Sequence, residues 1–229
     1  MIVSHAHRFI FLKTKKTGSS SAEYALADLC EGDDIITPAS RDEEPERTGR
    51  RAQNYMLPWS KRSPVKVVRS FFTDTPERYV GFYNHMPAAR ARALLGRGIW
   101  DSYYKFAVER NPWDRQVSLY YWRYPDPATR PSFSEFIENP RYVRKARNWR
   151  IYTINDQLAV DRIARYETLD HDLAAILAEI GIEARLTLPR LKSGTREGGP
   201  AYREYYTDRT REIVAGWYEK EIGVFGYSF

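Results

Sequence analysis

Short apolar runs and amphipathic stretches alternate along most of the chain. Arg8-Phe9-Ile10-Phe11-Leu12-Lys13 is a compact apolar run that predicts a strand. A polar stretch follows, and then apolar positions at Ala22, Tyr24, Ala25, Leu26 and Leu29 predict a helix with Gly32 past its end. Further strands are predicted at Lys66-Val67-Val68, at Tyr79-Val80-Gly81-Phe82-Tyr83, at residues 103–108 and at residues 160–167. Helices are predicted from Pro87 through Ala91, Leu94 and Leu95, and from Asn111-Pro112 through Val117, Leu119, Tyr120 and Tyr121. Ser132 and Glu135 have the spacing of a capping box. Thr168 opens a helix with Leu169, Leu173, Ile176, Leu177 and Ile180 on one face, closed by Gly181. Thr207 opens the last, through Ile213, Val214 and Trp217.

This order of elements predicts an α/β fold, a mostly parallel sheet flanked by helices on both faces, in a single domain over residues 1–229. Residues 38–64 lack periodicity and read as a long loop or insertion, either shaping an acceptor site or simply solvated. The N-terminus, with His5 and His7, reads as frayed, and His171 as solvated on a helical turn. Trp113, Tyr120, Tyr121 and Trp122 read as core.

Composition changes this picture little. Hydrophobic residues make up 42% and charged residues 29%, which argues against disorder. The net charge of +6 suits an anionic partner without specifying it. The single cysteine, Cys30, excludes an internal disulfide and reads as a buried thiol. No apolar run is long enough for a membrane span and no signal-peptide core is visible, so a cytoplasmic location is expected. The four histidines and Cys30 show no metal-ligand spacing, and no metal is expected.

Ligands of such sheets bind beyond the carboxyl ends of the strands. Two strand-to-helix turns there have the composition of anion sites. In the first, Lys16-Thr17-Gly18-Ser19-Ser20-Ser21, Gly18 permits unusual backbone conformations. Amides, hydroxyls, the helix N-terminus and Lys16 can all address an anion. The spacing is not that of a Walker A loop, and an ordinary serine-rich helix start has the same look. In the second, Arg110 ends a strand and Ser118 lies about two turns into the following helix, so both could converge on one phosphate. Asp114 and Arg115 read as surface pairs.

Residues 11–21 resemble the 5′-phosphosulfate loop of the sulfotransferases that use 3′-phosphoadenosine-5′-phosphosulfate (PAPS). Arg110-Asn111-Pro112-Trp113-Asp114-Arg115-Gln116-Val117-Ser118 resembles their 3′-phosphate motif, and Asn84-His85-Met86 the histidine-bearing segment of their carbohydrate branch. Arg165-Tyr166-Glu167 with Leu169, and the endings around Tyr205-Tyr206 and Phe225-Gly226-Tyr227, resemble later blocks in the same order. Lys13, Lys15 and Glu109 depart from the usual pattern.

The resemblance implies a bacterial cytosolic type of enzyme with a P-loop-NTPase-like fold. It implies in-line transfer of a sulfuryl group from PAPS to a hydroxyl or amine, first of all on a carbohydrate, with release of 3′,5′-ADP and no metal. Lys16 and His85 would be catalytic, the latter as general base. Lys16, Thr17, Gly18, Ser19, Ser20 and Ser21 would hold the 5′-phosphosulfate, Arg110 and Ser118 the 3′-phosphate, and Lys192, Ser193 and Arg196 would close over the nucleotide. Glu167 would anchor a core arginine or contact the acceptor. Neither nucleic acid nor a membrane span is expected, and oligomeric state is left open. Two other readings fit the strand-turn-helix opening or the basic charge: a P-loop small-molecule kinase dependent on magnesium-ATP, and a non-enzymatic polyanion or nucleic-acid binder.

Overall fold

A computed structural model describes residues 1–40, 44, 47, 49–139, 147–184, 186–189 and 201–229. Its strands are β1 (Ile2–Ser4), β2 (Phe9–Leu12), β3 (Ile35–Ile36), β4 (Tyr104–Glu109), β5 (Thr153–Ile154), β6 (Gln157–Leu158) and β7 (Arg162–Arg165). The helices are α1 (Ser19–Ala27), α2 (Pro64–Ser70), α3 (Glu77–Val80), α4 (Ala88–Leu95), α5 (Arg97–Ser102), α6 (Pro112–Arg123), α7 (Phe133–Glu138), α8 (Trp149–Tyr152), α9 (Leu169–Glu179), α10 (Asp208–Trp217) and α11 (Glu219–Phe225).

The main sheet has the order β3-β1-β2-β4-β7, and β5 pairs separately with β6. The half formed by β2-β4-β7 is parallel, with Leu12 beside Ala107 and Glu109 beside Arg165. β1 runs antiparallel to both β2 and β3. Strand alternation divides the core between the two faces. Phe9, Phe11, Phe106 and Val108 pack beneath α1 and α9, against Leu26, Leu173 and Ile176. Ile10, Leu12 and Ala107 face the other way, toward Met86, Ala88 and Ala91 around α4 and toward Tyr152 of α8. Burial on both sides explains why β2 and β4 read as near-continuous apolar runs. A third cluster joins α6, α7, α10 and the C-terminal residues through Trp113, Tyr120, Phe136 and Tyr218.

Four expectations require correction. Lys66-Val67-Val68 lies in α2, where Ser63-Pro64 starts a helix despite the β-branched residues. Tyr79 and Val80 end α3, and only Gly81 makes an isolated bridge, to Met56. The N-terminus is not frayed: β1 is an inner strand, and its turn into β2 is tied to Asp34, which accepts from Ser4 Oγ at 3.0 Å and from the His5 amide at 2.5 Å. His5 Nδ1 lies 2.9 Å from Tyr103 Oη. Within residues 38–64 the described part is not simply solvated. Gln53 bridges Ile36, and Arg47 reaches inward to Glu23 at 3.5 Å with its side chain wholly buried.

Candidate anion site at the carboxyl edge of the sheet

Because β2 and β4 are parallel neighbours, their following turns leave the sheet at the same edge. Thr14 donates across the gap to the carbonyl of Val108. In the first turn Lys16 (φ 60°) and Gly18 (φ 71°) both adopt left-handed backbone. For a lysine this costs about 1–3 kcal/mol and persists only where the surroundings impose it. Asn148 imposes it: its fully buried amide accepts from the Lys15 N–H at 2.9 Å and donates to the Lys15 carbonyl at 3.1 Å. Thr17 and Ser19 turn their hydroxyls into the loop itself, Thr17 to Thr14 Oγ1 at 2.7 Å and Ser19 to the Thr14 carbonyl. The half-buried surface of the turn is formed by Lys16, Gly18, Ser20 and Ser21 at the start of α1.

In the second turn Asn111 caps α6 by accepting from the Trp113 N–H at 3.1 Å, with Pro112 at the first helical position. Arg110 folds forward along α6. Its Nε and Nη2 donate to Asp114 Oδ2 at 2.8 and 2.6 Å, and its guanidinium lies 4.0 Å from the Tyr166 ring centre. Ser118 is one turn beyond Asp114 on the same stripe, and Trp122 one turn further. Over the half-exposed Trp122 ring, at 5.3 Å, lies Lys16 Nζ. Arg110 and Lys16 thus bracket Ser118 along a helical stripe of about 12 Å.

Tyr166 wedges the two turns together. A Cβ on Gly18 would come within 2.7 Å of its ring, while its face carries Arg110. Gly18 is therefore required twice, by its φ and by this contact. Sequence reasoning missed Tyr166 and Asn148 as site residues. The available signal for Tyr166 was its position directly after a parallel strand, at the same sheet edge.

His85 is also left-handed (φ 59°), and its Nδ1 lies 3.1 Å from the Lys13 carbonyl. A carbonyl only accepts, so Nδ1 carries the proton and Nε2 keeps its lone pair. Burial, then the positive fields of Lys13 and Lys15, push the His85 value down to about 3. Lys13 itself is buried and pairs with Glu23 at 2.8 Å. The N-terminal amine and Arg47 share that carboxylate; Lys13 leads the attractions that outweigh its burial and hold it near 2.

Three sequence readings change here. Arg115 is no surface residue: fully buried, it donates to Glu109, which also accepts from Tyr152 Oη at 2.8 Å and from the Arg110 N–H at 2.9 Å. The unusual acid before the motif arginine is thus the partner of a buried guanidinium. Among the described residues Glu167 anchors no core arginine; it accepts from the Asn111 N–H at 2.7 Å and steadies the second turn. Trp122 is surface, not core. Lys192, Ser193 and Arg196 lie outside the described residues. A polar cavity of about 400 Å³, lined by Arg92, Lys105, Asn155 and Asp161 among others, opens at the amino ends of β4 and β7 and shares no lining residue with either turn.

The fold and the paired cationic turns define an α/β protein with a candidate anion site at one sheet edge. The chain belongs to the sulfotransferase family, whose sequence model matches residues 1–228. An uncharacterized protein of Archaeoglobus fulgidus is 38% identical over 106 residues, covering 44% of this chain and 87% of that one. A sulfotransferase crystal structure from Alicyclobacillus acidocaldarius is similar over 97% of this chain and 96% of its own, at 16% identity and a TM-score of 0.42. Among the described residues no helix is long and apolar enough to cross a membrane.

Proposed function

We propose that the protein transfers the sulfuryl group of PAPS to an acceptor hydroxyl or amine, first of all on a carbohydrate, releasing 3′,5′-ADP. The observation that carries this reading is the convergence of Lys16 and Arg110 on one stripe of α6, with Tyr166 between the turns. Arg110, its Nε and Nη2 held by Asp114, offers Nη1 to a 3′-phosphate, and Ser118 adds a hydroxyl. Ser20 and Ser21, the amides at the start of α1 and Lys16 receive the 5′-phosphosulfate. Thr17 and Ser19 contribute by shaping the loop, since their hydroxyls bond within it.

In the transfer the acceptor oxygen or nitrogen bonds to sulfur in line with the departing phosphate oxygen. The S–O bond to that phosphate breaks, and its electron pair stays with 3′,5′-ADP. Lys16 opposes the charge developing on the leaving oxygen. The acceptor proton passes to Nε2 of His85. A value near 3, set first by burial, makes a poor base; a negative donor beside the ring would oppose only the part of the depression that comes from the fields of Lys13 and Lys15. Charge stabilisation by Lys16 and the loop amides needs no metal in this scheme.

Incubation with sulfur-labelled PAPS and a panel of carbohydrate, phenolic and amine acceptors tests the reading. Label should appear in an acceptor together with 3′,5′-ADP, and Lys16→Ala should slow transfer by about 10²-fold or more. Phosphoryl transfer from magnesium-ATP, with PAPS inert, would contradict it.

A further inference from the structure

Between Leu57 and Val80 the chain makes an excursion whose two feet are clamped together. The Leu57 N–H donates to the Val80 carbonyl at 3.0 Å and the Phe82 N–H to the Tyr55 carbonyl at 2.7 Å. His85 follows three residues later, so the excursion is anchored close to the proposed base. Within it, α2 has no buried residue. Trp59, Val65, Val68, Phe71 and Phe72 are 69%, 63%, 58%, 77% and 85% exposed, all within residues 59–72. Single exposed apolar side chains are ordinary, but a cluster of this size marks a surface that meets something.

The same stretch is cationic. Residues 58–73 contain Lys61, Arg62, Lys66 and Arg69 and no acid. On α2, Val65 and Val68 share one side, and Lys66 and Arg69 share the adjoining one. Arg62 lies 4.1 Å over the Trp59 ring, which puts its charge at the margin of the apolar surface. Aromatic and branched apolar groups beside a row of Lys and Arg are what an interfacial segment needs.

Charge selects the occupant. In a symmetric pairing with a second copy, the same patch meets itself and the cations face cations. A bilayer with anionic headgroups satisfies both components, taking the apolar side chains at its boundary and the cations in its negative surface potential. The geometry points to peripheral docking of residues 58–73 on an anionic lipid bilayer. This surface lies outside the proposed donor site, and its test does not depend on sulfuryl transfer.

The intact chain is sedimented with vesicles of phosphatidylcholine alone and of equal parts phosphatidylcholine and phosphatidylglycerol. The anionic vesicles should carry down at least about 25-fold more protein at low salt, and high salt should weaken the binding. Lys66→Glu with Arg69→Glu should lower partitioning by roughly fivefold or more for each charge. Phe71→Ser with Phe72→Ser should lower it as well, with the unfolding midpoint unchanged because both rings are already in water. Wild type left in the supernatant with anionic vesicles would overturn the proposal. So would equal binding by both double variants, or a concentration-dependent dimer, abolished by Phe71→Ser with Phe72→Ser, in a chain that ignores vesicles.

Discussion

Lys16 and His85 share a backbone state that side chains with a Cβ rarely adopt, φ 60° and 59°, and both lie close to the loop after β2. Such conformations persist where neighbours enforce them, and they concentrate at functional sites. For His85 the enforcing contact is the Lys13 carbonyl, which also fixes the tautomer. Its folded-state value is depressed to about 3 from 6.5, so the unfolded chain takes up this proton first as the medium turns acid. The neutral ring therefore supports folding above about pH 6.5, and that contribution is lost as pH falls toward 3. His85→Gln should remove this part of the acid destabilisation, giving a flatter dependence of unfolding midpoint on pH between 6.5 and 4 than wild type. The same variant should lose about 10²–10⁴-fold in turnover while keeping its affinity for 3′,5′-ADP. An equally steep acid limb would contradict the depressed value, and undiminished turnover would exclude His85 as the base.

At the scale of elements, α6 organises the site on one side and the core on the other. Its outward stripe runs from Asp114 through Ser118 to Trp122, between Arg110 and Lys16. Its inward face carries Arg115 to Glu109, which binds α6 to the end of β4 and, through Tyr152, to α8. Arg115 also stacks on Tyr218 at 4.4 Å, linking α6 to the turn between α10 and α11. Burial acts to lower the Arg115 value, but the Glu109 carboxylate outweighs it and holds the guanidinium charged far above the neutral range. Removing one partner of a buried pair costs about 3–5 kcal/mol, and for Arg115 only the more distant Glu221, at 3.9 Å, would remain among the described residues. In a protein of this length each kcal/mol is worth about 2–4 °C. Glu109→Gln should therefore lower the thermal midpoint by roughly 10 °C, and a loss of only about 2 °C in a scanning experiment would refute the weight given to this network.

For the molecule as a whole, the parts legible in the sequence are those governed by local chemistry. The turns after β2 and β4 show in Gly18 and in Asn111-Pro112, the capping box at Ser132 forms as its spacing implies, and Thr207 caps α10. The edge of the sheet is illegible because β1 and β3 have only three and two residues and owe their form to pairing partners far along the chain. α2 misleads because Val67 and Val68 favour strands, whereas Ser63-Pro64 and the lack, among the described residues, of a strand to pair with decide for helix. The contacts that assemble the site are likewise long-range: Asn148 on Lys15, Tyr166 between Gly18 and Arg110, Lys16 over Trp122. No spacing rule announces them.

Calorimetric titration with 3′,5′-ADP, in wild type and in Arg110→Ala, tests most directly whether the two turns grip a single nucleotide. The account predicts one saturable site, indifferent to magnesium, weakened about tenfold or more by Arg110→Ala. Absence of binding, or equal affinity in the two proteins, would contradict it.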